Sequence, residues 1–183
     1  MRHWTLSRRS VTLAAVAALA LTGCKRSDPV KVSETETETP PLASLIHTGD
    51  PHSETQLVTG FYPIEEHSWR WTAQHFSVVL RPPAGSAERG AALSLQLNVP
   101  EPVLAKLKTV SLSAAIGGVT LPPETYSKPG PYTYTRDVPS NALKANKDAV
   151  RVDFELDKAI PPSAGGDQRE LGVIVAAVGL DTK

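Results

Sequence analysis

The sequence predicts an all-β fold, a single antiparallel β-sandwich, on three observations. From about Gln56 onward, apolar residues recur at every second position in short runs, the period of a half-buried strand. Turn residues separate these runs, and most of the chain's 16 prolines fall between them, where a missing N–H breaks no ladder. No stretch repeats its apolar residues convincingly at helical spacing. About eight short strands in roughly 125 residues argue for a sandwich or a small barrel, of which the sandwich is the preferred reading.

The chain opens MRHWTLSRRS, with Arg2, Arg8 and Arg9 and no acid, and continues into an apolar run from Val11 to Leu21. A basic flank before a short apolar core describes a secretory signal peptide. The run falls short of the roughly 20 apolar residues that a membrane-spanning helix needs. It ends in Leu21-Thr22-Gly23-Cys24, and Cys24 is the single cysteine of the chain. That tetrapeptide resembles the lipobox of bacterial lipoproteins. The resemblance implies a diacylglyceryl thioether on Cys24, cleavage before it, and a further acyl chain such as palmitate on the new amine. Two or three chains bury enough methylenes, at about 0.8 kcal/mol each, for stable anchoring where one would not.

The same segment bears on the export route and the destination. SRRSVTL resembles a twin-arginine signal but lacks the phenylalanine expected after Arg9, so Sec export stays open beside it. Lys25 stands where lipoproteins kept in the inner membrane of many enteric bacteria carry Asp. By that resemblance the protein is exported and lipid-anchored, delivered to the outer membrane and facing the periplasm or the surface.

Residues 25–44, KRSDPVKVSETETETPPLAS, are polar and end in prolines and small residues. Such a segment cannot bury enough apolar surface to offset its ordering entropy and is expected to be a disordered tether. The expected organisation is a signal peptide at 1–23, a lipidated tether at 24–44 and the β-sandwich at 45–183. Cleavage before Cys24 removes three arginines and no acid from a chain with 19 basic and 19 acidic residues. The mature protein is therefore slightly acidic, with no basic excess to attract nucleic acid. Acylation of Cys24 leaves no thiol for a disulfide or a thiolate metal site.

The strands follow in order. HFSVVLRP sets Phe76, Val78 and Leu80 on one face, and ALSLQLNV does so with Leu93, Leu95 and Leu97. TVSLSAAI contributes Val110, Leu112 and Ala114, and Gly117-Gly118 turns the chain into VTL. DAVRVDFELD alternates Val150, Val152, Phe154 and Leu156 inward with Arg151, Asp153 and Glu155 outward. LGVIVAAVGL is apolar on both faces, as a central strand is. Only 101–108 and 140–148 suit a turn or two of helix.

Two segments carry the candidate chemistry: GFYPIEEHSWRWT (60–72) and GDQRELGVIVAAVGL (166–180). Together they resemble the small jelly-roll domains found beside bacterial glycosyltransferases and in some carbohydrate-active enzymes. The matching positions are Gly60, Glu65 or Glu66, Arg70 and Trp71, then Asp167, Arg169, Leu171 and Gly172. The resemblance implies a jelly-roll-like sandwich in a glycan-related setting and carries no catalytic residue with it. On the residues alone, Trp69 and Trp71 share one strand face and Arg70 takes the other. TAQ (72–74) is expected to turn the chain into the next strand. Segments 60–72 and 166–172 are expected to meet, with Glu65 or Glu66 and Asp167 within ion-pair range of Arg70 or Arg169. Trp71 is expected to be mostly buried and Trp69 nearer the rim.

Two uses of this cluster stay open. One is a charge-assisted clasp that holds strand register. The other is a sugar site, with a tryptophan stacked on a pyranose face and Arg and acid groups on hydroxyls. His47, Asp50, His52 and Glu54 lie close together, with His67 and His75 further on, but their spacing matches no metal motif and reads as a solvated loop. No G-x-S-x-G, H-E-x-x-H or phosphate-binding glycine loop occurs, so no catalytic residue, metal ligand or cofactor is expected. The expected function is that of a membrane-anchored envelope lipoprotein that binds cell-envelope glycan. The alternatives are a structural or protein-binding envelope lipoprotein, and a hydrolase with an unfamiliar active site.

Overall fold

Alternation along the chain becomes nine antiparallel strands among the residues that the computed structural model describes, 41–145, 147–164 and 166–183. The expected signal peptide, Cys24 and the tether as far as residue 40 lie outside the described residues. The strands are β1 (Leu45–His47), β2 (Leu57–Phe61), β3 (Arg70–Leu80), β4 (Ala91–Val99), β5 (Val110–Ile116), β6 (Val119–Tyr126), β7 (Gly130–Val138), β8 (Val150–Leu156) and β9 (Ile174–Thr182). Among the described residues, helix is confined to α1 (Ser86–Arg89), α2 (Glu101–Leu107) and 3-10 turns at Pro51–Gln56 and Ser140–Ala142. The first of these turns occupies the stretch expected to be a solvated loop, and it buries Ser53 and Gln56.

The pairing path runs β6-β5-β8-β3-β9-β4-β7, with β1 beside β9 and β2 beside β3. It folds into two facing layers. The front layer holds β1, β9, β4 and β7 with the start of β3; the back layer holds β2, the rest of β3, β8, β5 and β6. The residues expected to face inward do so. Phe76, Val78, Leu80, Leu93, Leu95, Leu97, Val110, Leu112, Val150, Val152, Phe154 and Leu156 are all at most 3 % exposed. Phe76 stacks on Phe154 at 5.0 Å, and Phe61 meets Phe76 edge-on at 5.4 Å. Each fully buried side chain of this kind contributes roughly 1.5–3 kcal/mol.

The expected turn at 72–74 is absent: β3 runs unbroken through it and changes layers there. Arg70 and Trp71 pair with Val175 and Ile174 of β9, whereas His75–Leu80 pair with β8. A strand that passes between layers is one way in which a sandwich turns a corner. Backbone groups at the crossing find side-chain partners. The Gln74 N–H donates to Glu170 Oε2 at 2.9 Å, and Gln74 Nε2 donates to the Leu156 carbonyl at 3.0 Å. Gly172 donates to the Thr72 carbonyl at 2.7 Å. A Cβ on Gly172 would stand 2.6 Å from Leu156 Cδ1 and 2.8 Å from the Ala73 carbonyl oxygen, so only glycine fits this crossing.

The two ends of the path, β6 and β7, nearly close the sandwich into a barrel, and side chains make the join. Pro122 and Pro123 of β6 have carbonyls but no N–H to offer. The Tyr134 hydroxyl (2.9 Å) and Arg136 Nε (2.7 Å) donate to the Pro122 carbonyl, and Arg136 Nη2 donates to that of Pro123 (3.0 Å). At the opposite edge, the Gln56 amide imitates one more rung of sheet. It accepts from the Ala43 N–H at 2.9 Å and donates to the Ala43 carbonyl at 3.0 Å. Ser44 also accepts from the Leu180 N–H at 2.8 Å. Ordered pairing therefore reaches back to Ala43, two residues into the segment expected to be tether.

Candidate functional site

The outer face of the front layer carries a groove of about 580 Å³. Its floor follows from strand register. Leu95, Leu97 and Val99 of β4 point into the core, so Gln96 and Asn98 between them point outward. Gln96 stands between Thr133 of β7 and Ala177 of β9, and Asn98 stands between Pro131 and Ile174. An irregularity in the β4–β9 register after Gln96 brings Ala176 to the groove wall as well. Ile174 and Ala176 explain why this strand reads as apolar on both faces: one face fills the core and the other floors the groove. Trp69 closes one side, and none of the lining residues is charged.

Trp69 is presented by a tight turn. The Glu65 N–H donates to the Trp69 carbonyl at 2.9 Å, and the Ser68 N–H donates back to the Glu65 carbonyl at 3.1 Å. Glu66 and His67 complete the reversal with left-handed backbones, φ 48° and 54°. The turn presses on Gly49, where a Cβ would lie 2.6 Å from the Ser68 carbonyl carbon. The Trp69 and Trp71 rings meet edge to face, 6.4 Å between centroids and 76° between planes. Both are half-buried; Trp71, expected to be mostly buried, packs on the core from outside and braces Trp69.

Arg70 turns inward, only 4 % exposed. Nε donates to the Thr48 carbonyl (2.8 Å), Nη1 to the Tyr62 carbonyl (3.2 Å) and Nη2 to the Glu54 carboxylate. Its acid is thus Glu54, which the sequence reading left in a loop, and neither Glu65 nor Glu66. The Glu66 side chain is exposed. From the start of β3, Arg70 ties the ends of β1 and β2 to the 3-10 turn, and it is closed to any ligand.

Arg169 gathers the remaining charges. Nη1 donates to Glu65 Oε1 at 2.7 Å, Nη2 to Asp167 Oδ2 at 2.8 Å and Nε to Asp167 Oδ1 at 3.0 Å. The Arg169 backbone N–H also donates to Asp167 Oδ1 at 2.9 Å, and the guanidinium lies 5.2 Å from the centroid of the Tyr62 ring. These contacts hold the Asp167 carboxyl down to about 2, through the Arg169 side chain first and its N–H second. Asp167 and then Glu65 raise the guanidinium above its ordinary range. Segments 60–72 and 166–172 therefore meet, and Arg169 and its two acids satisfy one another as a clasp. Glu65 lies directly across the turn from Trp69, so the clasp also holds the tryptophan at the groove.

The histidines are dispersed. His52 Nδ1 lies 2.8 Å from Asp50 Oδ1, while Glu54 is committed to Arg70. Hydrogen bonds from the His52 backbone N–H, and then from its ring, lower the Asp50 carboxyl. Among the described residues, no three His, Cys, Asp or Glu side chains are grouped to hold a metal ion. Sequence reasoning missed Gln96, Asn98 and Thr133. Alternation put the first two on an outer face, but which strands flank β4 is a tertiary fact. The chain matches no protein-family model and no curated protein.

Proposed function

We propose that this protein is an envelope lipoprotein, anchored through acylated Cys24, whose β-sandwich binds cell-envelope glycan in the groove beside Trp69. The observation that carries the reading is the half-buried Trp69, braced by Trp71 at the edge of a groove floored with exposed amides. An aromatic face offers apolar area to the C–H face of a sugar, and a few convergent polar groups fix its orientation. The groove volume of about 580 Å³ falls in the usual range for small-molecule sites.

The two acids that clasp the Trp69 turn give no support to a hydrolytic role. Glu65 and Asp167 are both bonded to Arg169, and Asp167 is held near 2. A general acid near neutral pH needs a raised carboxyl, not a depressed one. A protein-binding reading draws on Leu45 and Val58, 50 % and 41 % exposed on the edge strands β1 and β2. Titration of the detergent-extracted protein with oligosaccharides from its own envelope tests the proposal. Trp69→Ala is expected to abolish binding while the melting temperature changes little. Equal binding by this variant, or no binding by the parent, refutes the proposal.

A further inference from the structure

We infer that the groove takes neutral sugar units and discriminates against acidic or phosphorylated ones; this rests on the reading of the groove as a glycan site. The side chains of Trp69, Gln96, Asn98, Thr133, Ile174 and Tyr132 line it without a single charge. A carboxylate or phosphate entering it would lose water with no cation to replace the lost solvation. The cation that clasps the Trp69 turn, Arg169, is fully engaged by Glu65 and Asp167. The other layer shows the contrast. Its outer-face hollow is lined by His75, Arg151, Asp153 and Glu155.

The polar groups present suit hydroxyl and acetamido substituents. Each amide of Gln96 and Asn98 offers two N–H donors and a carbonyl acceptor, and the Thr133 hydroxyl both donates and accepts. Sugar hydroxyls and acetamides have the same double character and can satisfy both ends. An anion only accepts, and would leave the amide oxygens desolvated without a donor. Gln96 and Asn98 are two residues apart on one strand face, roughly 7 Å along the strand. They therefore touch different points of an extended sugar chain, with Trp69, Ile174 and Ala176 supplying apolar surface beside them.

With residues 1–23 removed, Trp69 and Trp71 are the only tryptophans in the chain, so intrinsic fluorescence reports on the groove. The mature, detergent-solubilised protein is titrated with neutral oligomers of glucose and of N-acetylglucosamine, with oligogalacturonate, and with an apolar peptide, at low and high salt. At least one neutral oligomer is expected to shift the fluorescence, with affinity that salt leaves unchanged and that exceeds that of the acidic oligomer at least tenfold. Asn98→Asp is expected to weaken neutral binding at least fivefold without lowering the melting temperature. Salt-sensitive binding of oligogalacturonate equal to or tighter than that of the neutral oligomers overturns the inference and leaves the glycan reading standing. Fluorescence shifts with the peptide alone overturn both. Neutral binding that ignores Asn98→Asp and Gln96→Ala removes the groove as its location.

Discussion

Replacing Arg70 by alanine separates two accounts of what a buried guanidinium does in this fold. The Arg70 side chain is 5 % exposed, and its ion-pair partner Glu54 is 66 % exposed. Truncation strands the carbonyls of Thr48 and Tyr62, which now receive Nε and Nη1. Each buried acceptor left without a donor costs about 1–3 kcal/mol, and water entering the vacated space recovers part of it. Glu54 returns to solvent at little cost. The expected loss is about 3 kcal/mol, which lowers the melting temperature by roughly 6–12 °C in a domain of this size. Glu54→Gln keeps an acceptor for Nη2 at an exposed position and is expected to cost no more than ~1 kcal/mol. Urea denaturation of both variants at neutral pH, with the slope checked for constancy, measures the two losses. If Glu54→Gln costs as much as Arg70→Ala, the ion pair governs and the argument from stranded carbonyls is wrong.

Other expectations follow from the same geometry. Gly172→Ala drives a methyl against Leu156 and the Ala73 carbonyl oxygen; it is expected to cost about 1–3 kcal/mol as overpacking does, and a melting temperature equal to the parent's would refute the close approach. The Asp167 carboxyl sits near 2 in the folded protein against its ordinary 3.8, so the clasp's contribution is whole above about pH 4 and is lost as pH falls through 2. A carbon-13 carboxyl titration in the parent and in Arg169→Ala checks this, with the Asp167 midpoint moving up in the variant; a parent midpoint near 4 would contradict it. Cys24→Ala is expected to leave an unacylated and uncleaved precursor, and intact mass of the detergent-extracted parent showing an unmodified Cys24 would refute the lipobox reading.

Much of the fold was legible because alternation is a local property. Val150, Val152, Phe154 and Leu156 had to share a face in any extended conformation, and burial then chose which face. Asp167 and Arg169 were visible as charged neighbours two residues apart for the same reason, but which arginine takes which acid stayed open between Arg70 and Arg169. The expected turn at 72–74 failed because strand continuity there depends on what lies alongside. Glu170 and Gln74 satisfy the crossing from opposite ends of the domain, ninety-six residues apart in sequence. Glu54 was invisible as the partner of Arg70, since the 3-10 turn that delivers it takes its position from packing against β3. The groove was the least legible feature. Gln96 and Asn98 were placed on an outer face by their own strand, but that face becomes a site only when β7 and β9 flank it and the 65–69 turn sets Trp69 beside it. Side-chain direction follows from the dihedral angles of one strand, whereas a binding surface is made by neighbours that the chain brings together from far apart.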